Sequence, residues 1–579
     1  MTSNSYWSRR VSRRSTIRGA ALGVMGLAGA ALVGCGGKQG SETPSVSSTG
    51  GGALATATAV SQQQAKRGGT FRVSITADPT TLDPYKTASS PARVFTSYFY
   101  SRLLRYETKP NVDIFDQAIT GDLAESIETS DGQNWVMKLR KGVKFHNIPP
   151  VSGREFTSAD VKYNWDRLTD EKSIARSSVQ NVTSATFPDA YTVKFVLKAP
   201  SAIFPHVLAD FLNIQVMPLE ADGKFNPLVT PIGTGPFIME QYQTSSKAKF
   251  RRNPDYYDSG VPYVDGVEVL IIPEYANARA QLESGGIHTL AIQPDDLIGL
   301  RKSHPDWQWK AVGSTVGYLY WSAASQSPGA PWLDERYRQA VSMAMDREGQ
   351  HELAYNVGTL KKAGLEVTTD TNNIIPRSRG TWWLDPANPG KGDTGRFFKY
   401  NLAEAKKLLA AGRWEGTPIK LQYPTTQYGP VYQLVVQSIN DDMNKLGIKS
   451  QLEGQDYNSV YFPQTRAGKF HGVSVGSAAS YAEVNGYVDR YFSHTESNAS
   501  QIRDTELDGL RAKQAAELDV NRRREIIHDI QRINAQHMYY CPTNYGAGLT
   551  YTAYLPSVRN VSNPRGPIQA ETYPYLWLE

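Results

Sequence analysis

DGQNWVMKLRKGVKFHN (Asp131–Asn147), TSADVKYNWDRL (Thr157–Leu168) and DAYTVKFVLKAP (Asp189–Pro200) follow one another in a chain of 579 residues. The first and third alternate apolar with polar side chains and are bounded by Gly, Asp or Pro. That period-2 pattern is the mark of antiparallel strands with one buried face. In the middle stretch Thr157 or Ser158 is placed to cap a helix that repeats Val161, Trp165 and Leu168 on one face. Strand, helix and strand in so short a span predict a mixed α and β region.

The same mixture extends outward. Gly68–Asp78 (GGTFRVSITAD) alternates and predicts a strand. Asp334 is set to cap a helix with Tyr337, Ala340, Val341, Ala344 and Met345 on one face. Leu402–Gly412 and Val431–Gly447 are amphipathic, and Gly447 is placed as a C-terminal cap. Thr505–Met538 predicts one or two helices, and short strands such as PIKLQYP (418–424) and FHGVSVG (470–476) separate these helices. Alternation of helix and strand over 332–476 predicts an α/β domain.

The beginning of the chain predicts a targeting segment rather than a fold. Met1–Arg18 holds five arginines and no acidic residue, and Gly19–Val33 is an apolar run of fifteen residues. A spanning helix needs about 20, so a secretory signal fits better. SRRSTIR (12–18) resembles a twin-arginine export signal, with the general secretory route as the alternative. Leu32-Val33-Gly34-Cys35 resembles a lipobox, which makes Cys35 the residue to be lipidated; an acyl chain contributes about 0.8 kcal/mol of membrane affinity per buried CH₂. Residues 35–67 are rich in Gly, Ser, Thr, Ala and Gln and predict a flexible tether.

Five of the 62 basic residues and none of the 56 acidic ones precede Cys35, so the remainder is near neutral. A basic face for nucleic acid is not expected. The only other cysteine, Cys541, has no partner for a disulfide. Gly472–Gly476 matches G-x-S-x-G, which raises a secreted serine hydrolase using Ser474 as the rival from another class. The stretch after Gly476 shows no clean helical period, so a strand running into a loop is expected instead. Gly390–Gly395 matches G-x-G-x-x-G but follows DPANP rather than a strand, and predicts a surface loop. The nine histidines are scattered without metal-ligand spacing. The chain is expected to be no enzyme and to use no metal or cofactor.

Several segments, taken in order, resemble family 5 of the extracellular solute-binding proteins, the oligopeptide, dipeptide and nickel class that feeds ABC importers. They are RGGTFRVSITADPTTLDP (67–84), the stretch from Asp122 to Asn147 with Gly153–Leu168, PIGTGPFIMEQYQ (231–243) with NPDYY (253–257), RYRQAVSMAMDRE (336–348) and LAEAKKLLAAGRW (402–414). The resemblance implies an α/β, two-lobed periplasmic-binding-protein clamp of type II, in the large class with an extra inserted domain. It places lobe one at 68–113, 230–312 and 553–579, the inserted domain at 114–229 and lobe two at 313–552. It further implies a monomer that captures a peptide or oligosaccharide by hinge closure and delivers it to the permease subunits. Such a protein would be exported, on the outer face of the cytoplasmic membrane or in the periplasm, anchored through lipidated Cys35.

The same resemblance implies cleft residues. The family's cleft segment carries an aspartate that pairs with a peptide's α-amino group; aligned on Tyr481, this chain has Ser480 there, with Glu483 and Asn485 downstream. Arg466 matches a frequent family arginine that can meet a carboxylate, with a solvated surface position as the alternative. Trp321, Trp382, Trp383 and Tyr428 are candidate flat platforms, with core packing as the alternative for each. Without the aspartate, a free ammonium is poorly neutralised, so an uncharged or N-blocked oligomer is expected to be preferred.

Overall fold

In the computed structural model, which describes residues 65–86, 90–108, 118–171, 173, 176–210, 213–313, 316–425, 428–478, 481, 483–494, 498–562 and 566–579, the stretch that begins the sequence reading folds as a four-stranded antiparallel sheet. Its strand order is Ala124–Glu128, Asn134–Leu139, Thr192–Leu197, Val182–Asp189. Trp135 stands opposite Phe195 in the register. The helix Ser158–Thr169 lies against this sheet, with Val161 and Leu168 wholly buried and the Trp165 ring 5.0 Å from Phe195. At its start the Asp160 carboxylate accepts the Thr157 N–H at 3.0 Å. That bond satisfies one of the donors every helix leaves open there. The signal, the lipobox with Cys35 and the tether up to residue 64 lie outside the described residues.

Two further sheets join segments far apart in the chain. Thr70–Ile75 runs parallel to Gly266–Ile271, which continues antiparallel into Lys247–Arg252 and Phe237–Gln243. Leu549–Tyr554 lies between Thr289–Ile292 and Gln308–Gly313 and is antiparallel to both. The chain therefore leaves this region after Gly313 and is back in it by Leu549.

The intervening chain builds a five-stranded sheet in the order Lys449–Gln455, Pro418–Pro424, Val473–Ser477, Gly317–Trp321, Tyr540–Thr543. Alternate side chains of a strand point to opposite faces, and the strand Gly317–Trp321 feeds two cores. Leu319 and Trp321 join one core, with the helices Glu335–Ala344, Leu402–Ala411 and Gly429–Leu446 packed on it. Tyr318 and Tyr320 join the other, under the helices Asn485–Phe492, Thr505–Ala516 and Val520–His537. Each wholly buried Leu, Ile or Val contributes about 1.5–3 kcal/mol, so the two faces supply much of this region's stability. Gly447 ends the helix Gly429–Leu446 at φ +111°, a left-handed backbone that a side chain would strain. The strand Val473–Ser477 runs into non-helical chain at Ala478, as expected, but a helical period missed in the sequence follows further on. Asn485–Phe492 is a helix, and Val484, Tyr487, Val488, Tyr491 and Phe492 bury one stripe of it at helical spacing.

Candidate functional site

Four strands of the five-stranded sheet run the same way, and the fifth, Gly317–Trp321, runs against them. Pro424, Gln455, Ser477 and Thr543 thus end at one edge, beside Gly317. Chain leaving the carboxyl ends of strands forms a crevice, the usual ligand position in open α/β sheets. Here each exit brings a tyrosine within four residues: Tyr428, Tyr457, Tyr481 and Tyr545. The Tyr428 ring lies 6.0 Å from Tyr457 and 6.2 Å from Tyr545. Beneath them the hydroxyls of Tyr432 and Tyr461 donate to the Val475 carbonyl at 3.0 and 2.9 Å. Burial pushes the Tyr428, Tyr461 and Tyr481 phenols up; they remain hydrogen-bond donors at neutral pH.

Two arginines stand among these rings. Arg490, on the helix Asn485–Phe492, is 2% exposed; its Nε donates to the Tyr318 hydroxyl at 3.1 Å, while among the described residues Nη1 and Nη2 are buried without a hydrogen-bond partner. Arg466 is half-buried, with its guanidinium 5.5 Å from the Phe462 ring centroid. Burial and the nearby Arg490 charge both press the Arg466 pKa down; Tyr318, Tyr481 and Tyr428 outweigh them. Tyr481 stacks edge-on against Tyr487 at 5.0 Å. It can do so because residue 486 is glycine: a Cβ there would stand 2.5 Å from the Tyr481 ring.

The other residues read from sequence are placed differently. Ser480 lies outside the described residues. Glu483 is 9% exposed and is held by Arg523, with Oε1 2.6 Å from Nη2 and Oε2 accepting the Asn485 N–H at 2.6 Å. Burial alone would raise this carboxyl; Arg523 and the nearby His206 overcome it and hold it below the usual range. Asn485 donates to Asp489 and accepts from Gln514, both at 2.6 Å. Trp321 is 3% exposed, at the opposite end of its strand from the tyrosine edge, and its indole donates to the Met538 carbonyl at 3.1 Å. Trp382 is 1% exposed in the other core, and Trp383 packs against that core. Ser474, the nucleophile of the hydrolase alternative, is wholly buried mid-strand, and its hydroxyl donates to the Gln422 carbonyl at 3.0 Å.

Sequence reasoning missed Arg490, Tyr457 and Tyr545. A tyrosine two to four residues beyond each strand was visible, but only the strand directions reveal that these exits share an edge. Next to Tyr428 and Tyr545 lies a mostly apolar cavity of about 190 Å³, bounded by Leu297, Leu360, Val431 and Tyr551. Among the described residues there is no cluster of His, Cys, Asp or Glu able to hold a metal ion, and no helix is long and apolar enough to cross a membrane.

Residues 118–499 match the family model of the bacterial extracellular solute-binding proteins, family 5 (middle region), and the chain belongs to that family. It is 27% identical over 473 residues to di/tripeptide-binding protein 1 of Pseudomonas aeruginosa, covering 76% of this chain and 82% of that protein. Among solved structures it resembles the ABC transporter substrate-binding protein CtaP of Listeria monocytogenes, with a TM-score of 0.71 and 20% identity over 89% of this chain and all of that one. It also resembles the binding protein AgaA of A. tumefaciens R10 in complex with agropinic acid, with a TM-score of 0.66 and 23% identity over 88% of this chain and 99% of that one. The fold is that of the periplasmic binding proteins, and the chain is a substrate-binding protein.

Proposed function

We propose that this chain captures a peptide-class solute between two lobes and hands it to the transmembrane subunits of an ABC importer, working as a monomer outside the cytoplasm and without catalysing a reaction. The observation that carries this reading is the tyrosine-lined edge, where four strands end beside the chain crossings at 313–317 and 543–549. Two crossings of this kind permit hinge closure over a bound molecule. Lobe one comprises 68–113, 230–312 and the return to the end of the chain, whose start moves from the expected residue 553 back to Leu549 because the strand Leu549–Tyr554 pairs with Gln308–Gly313; the inserted domain is 114–229 and lobe two 313–548. The sheets that join Thr70–Ile75 to Gly266–Ile271, and Leu549–Tyr554 to Gln308–Gly313, support this division. Ligand contacts are assigned to Tyr428, Tyr481 and Arg466, with Tyr457, Tyr545 and Arg490 added. The relatedness to a di/tripeptide-binding protein favours peptides. The flat rings of Tyr428, Tyr457 and Tyr545 favour an oligosaccharide as the second reading.

Lipidated Cys35 anchors the body to the membrane, because the apolar run that ends in the lipobox is too short to span one. Cys35→Ala is expected to leave a folded protein that no longer enters the detergent phase on partitioning; retention at the wild-type level contradicts the anchor. Native mass spectrometry of the gently isolated full-length protein tests capture itself. A stoichiometric small solute lost on denaturation is expected. A protein that carries none, and whose tryptophan emission responds to no member of a peptide and oligosaccharide panel, overturns the assignment.

A further inference from the structure

The inserted domain, 114–229, meets lobe two directly. Ala202, just ahead of the helix Phe204–Ala209, donates its N–H to the Ala515 carbonyl at 2.6 Å. Ala515 lies in the last turn of the helix Thr505–Ala516, where a helix leaves carbonyls without an intrahelical donor. The Ser201 N–H is held by the Gly132 carbonyl at 2.8 Å, which ties Ser201–Ala202 to the tip of the four-stranded sheet. A Cβ on Gly132 would stand 3.7 Å from the Leu518 side chain, so that tip also rests against lobe two. Among the described residues Ala202 to Ala515 is the hydrogen bond that crosses from 114–229 to 313–548. Bodies that share so little interface move relative to one another by default.

One turn beyond Ala202, His206 faces the same lobe. It is 3% exposed, with Nδ1 3.4 Å from the Tyr106 hydroxyl, and the charges that act on it are those of Glu483 and Arg523. Arg523 also donates from Nε to Gln514 at 3.1 Å, one residue before Ala515, so the hydrogen bond and the ion pair belong to one patch of lobe two. Of the strands packed on the helix Phe204–Ala209, Leu104–Tyr106 brings Tyr106, which itself feels Asp210, Arg102 and Arg379, and Ile119–Gly121 brings no titratable group. Glu483 follows the crevice tyrosine Tyr481 by two residues, so the contact borders the place assigned to the solute. Burial holds the His206 imidazole down at about 4, with Glu483 acting against it and Arg523 with it.

We propose that the inserted domain is the latch of the clamp: Ala202 and His206 dock on Ala515 and the Glu483–Arg523 pair when the lobes close, and protonation of His206 releases them, so that acid opens the clamp. The proposal rests on the solute-capture reading and adds the contact that holds its closed state. The imidazole is neutral in the closed clamp. Once water reaches it in the open clamp, it titrates near its ordinary 6.5, so below that pH the open form takes up a proton that the closed form refuses. At pH 5 this favours opening by up to about thirtyfold.

Hydrogen exchange of the full-length protein in detergent, read by mass spectrometry and corrected for the intrinsic effect of pH, tests the latch without a solute. Residues 199–206 are expected to be protected at pH 7 and to lose about tenfold or more of that protection at pH 5, while the core helix Gly429–Leu446 keeps its own. His206→Asn should leave 199–206 protected at both. Ala202→Cys with Ala515→Cys is an independent variant. Its oxidation should join the two cysteines, keep 199–206 protected at pH 5 and block uptake of N-acetyl-trialanine in calorimetry, and reduction should reverse all three. Equal protection of 199–206 at pH 7 and pH 5, a loss shared by the core helix, or a loss that persists in folded His206→Asn overturns the proposal. Should N-acetyl-trialanine fail to bind the wild type, the peptide reading fails by itself, and the exchange of 199–206 still decides the latch.

Discussion

One short helix, Asn485–Phe492, lies between two buried arginines with opposite surroundings. Just before its first turn, Glu483 meets Arg523 in an ion pair with every carboxylate oxygen engaged. Near its last turn, Arg490 sits among Tyr318, Tyr491 and Tyr540, with Nη1 and Nη2 unpartnered among the described residues. The first is an ion pair closed within the chain and belongs to its architecture. The second leaves Nη1 and Nη2 without a hydrogen-bond partner among the described residues. The partners of a buried charge thus describe its setting better than its residue type does.

The largest expected effect sharpens the scaffold side of this contrast. Arg523→Met strands the Glu483 carboxylate and should cost about 3–5 kcal/mol of stability, the usual penalty for removing one partner of a buried pair. The double variant Arg523→Met with Glu483→Gln should recover most of that loss in urea unfolding. A single variant as stable as the wild type contradicts the scaffold assignment.

Acid should act next, and for each group involved by a little less. Burial holds His146, His206 and His288 down at about 4, each against an ordinary value of 6.5. The unfolded chain therefore takes up protons that the folded one refuses. The stability these groups contribute is complete above about pH 6.5, falls as the pH drops toward 4, and levels off below. For each histidine the loss is of the order of 3 kcal/mol. His206 faces the Glu483–Arg523 pair, so His206→Asn should flatten part of the acid slope in thermal unfolding between pH 7 and 4. A wild-type midpoint that stays constant over this range contradicts the buried neutral imidazoles.

The smallest expected effect on folding falls on the crevice side. Gly486→Ala places a methyl group against the Tyr481 ring. Overpacking of this kind costs about 1–3 kcal/mol, and the displaced ring should weaken binding of N-acetyl-trialanine more than it weakens the fold. Unchanged affinity in calorimetry would remove Tyr481 from the crevice.

Much of the fold was legible because it is written locally. The Val161, Trp165, Leu168 stripe, the Asp334 cap, the Gly447 stop and the alternation in 134–139 and 192–197 each depend on near neighbours, and each is found where expected. The helix Asn485–Phe492 was legible in principle through its 484, 487, 488, 491, 492 spacing, but Asn-Gly at its start hid it. The site was harder for a different reason. Trp321 and Trp382 have the composition of ligand platforms, and only their burial identifies them as core. Arg490 reads as an ordinary surface charge until its partner Tyr318, 172 residues away, is located and its burial becomes evident.

Capture by closure of two lobes is the central claim, and small-angle scattering tests it most directly. The full-length protein is measured with the solute identified by native mass spectrometry and again after that solute has been stripped. The account predicts a smaller radius of gyration in the loaded state, restored when the solute is added back. Superimposable curves for the loaded and stripped protein would contradict it.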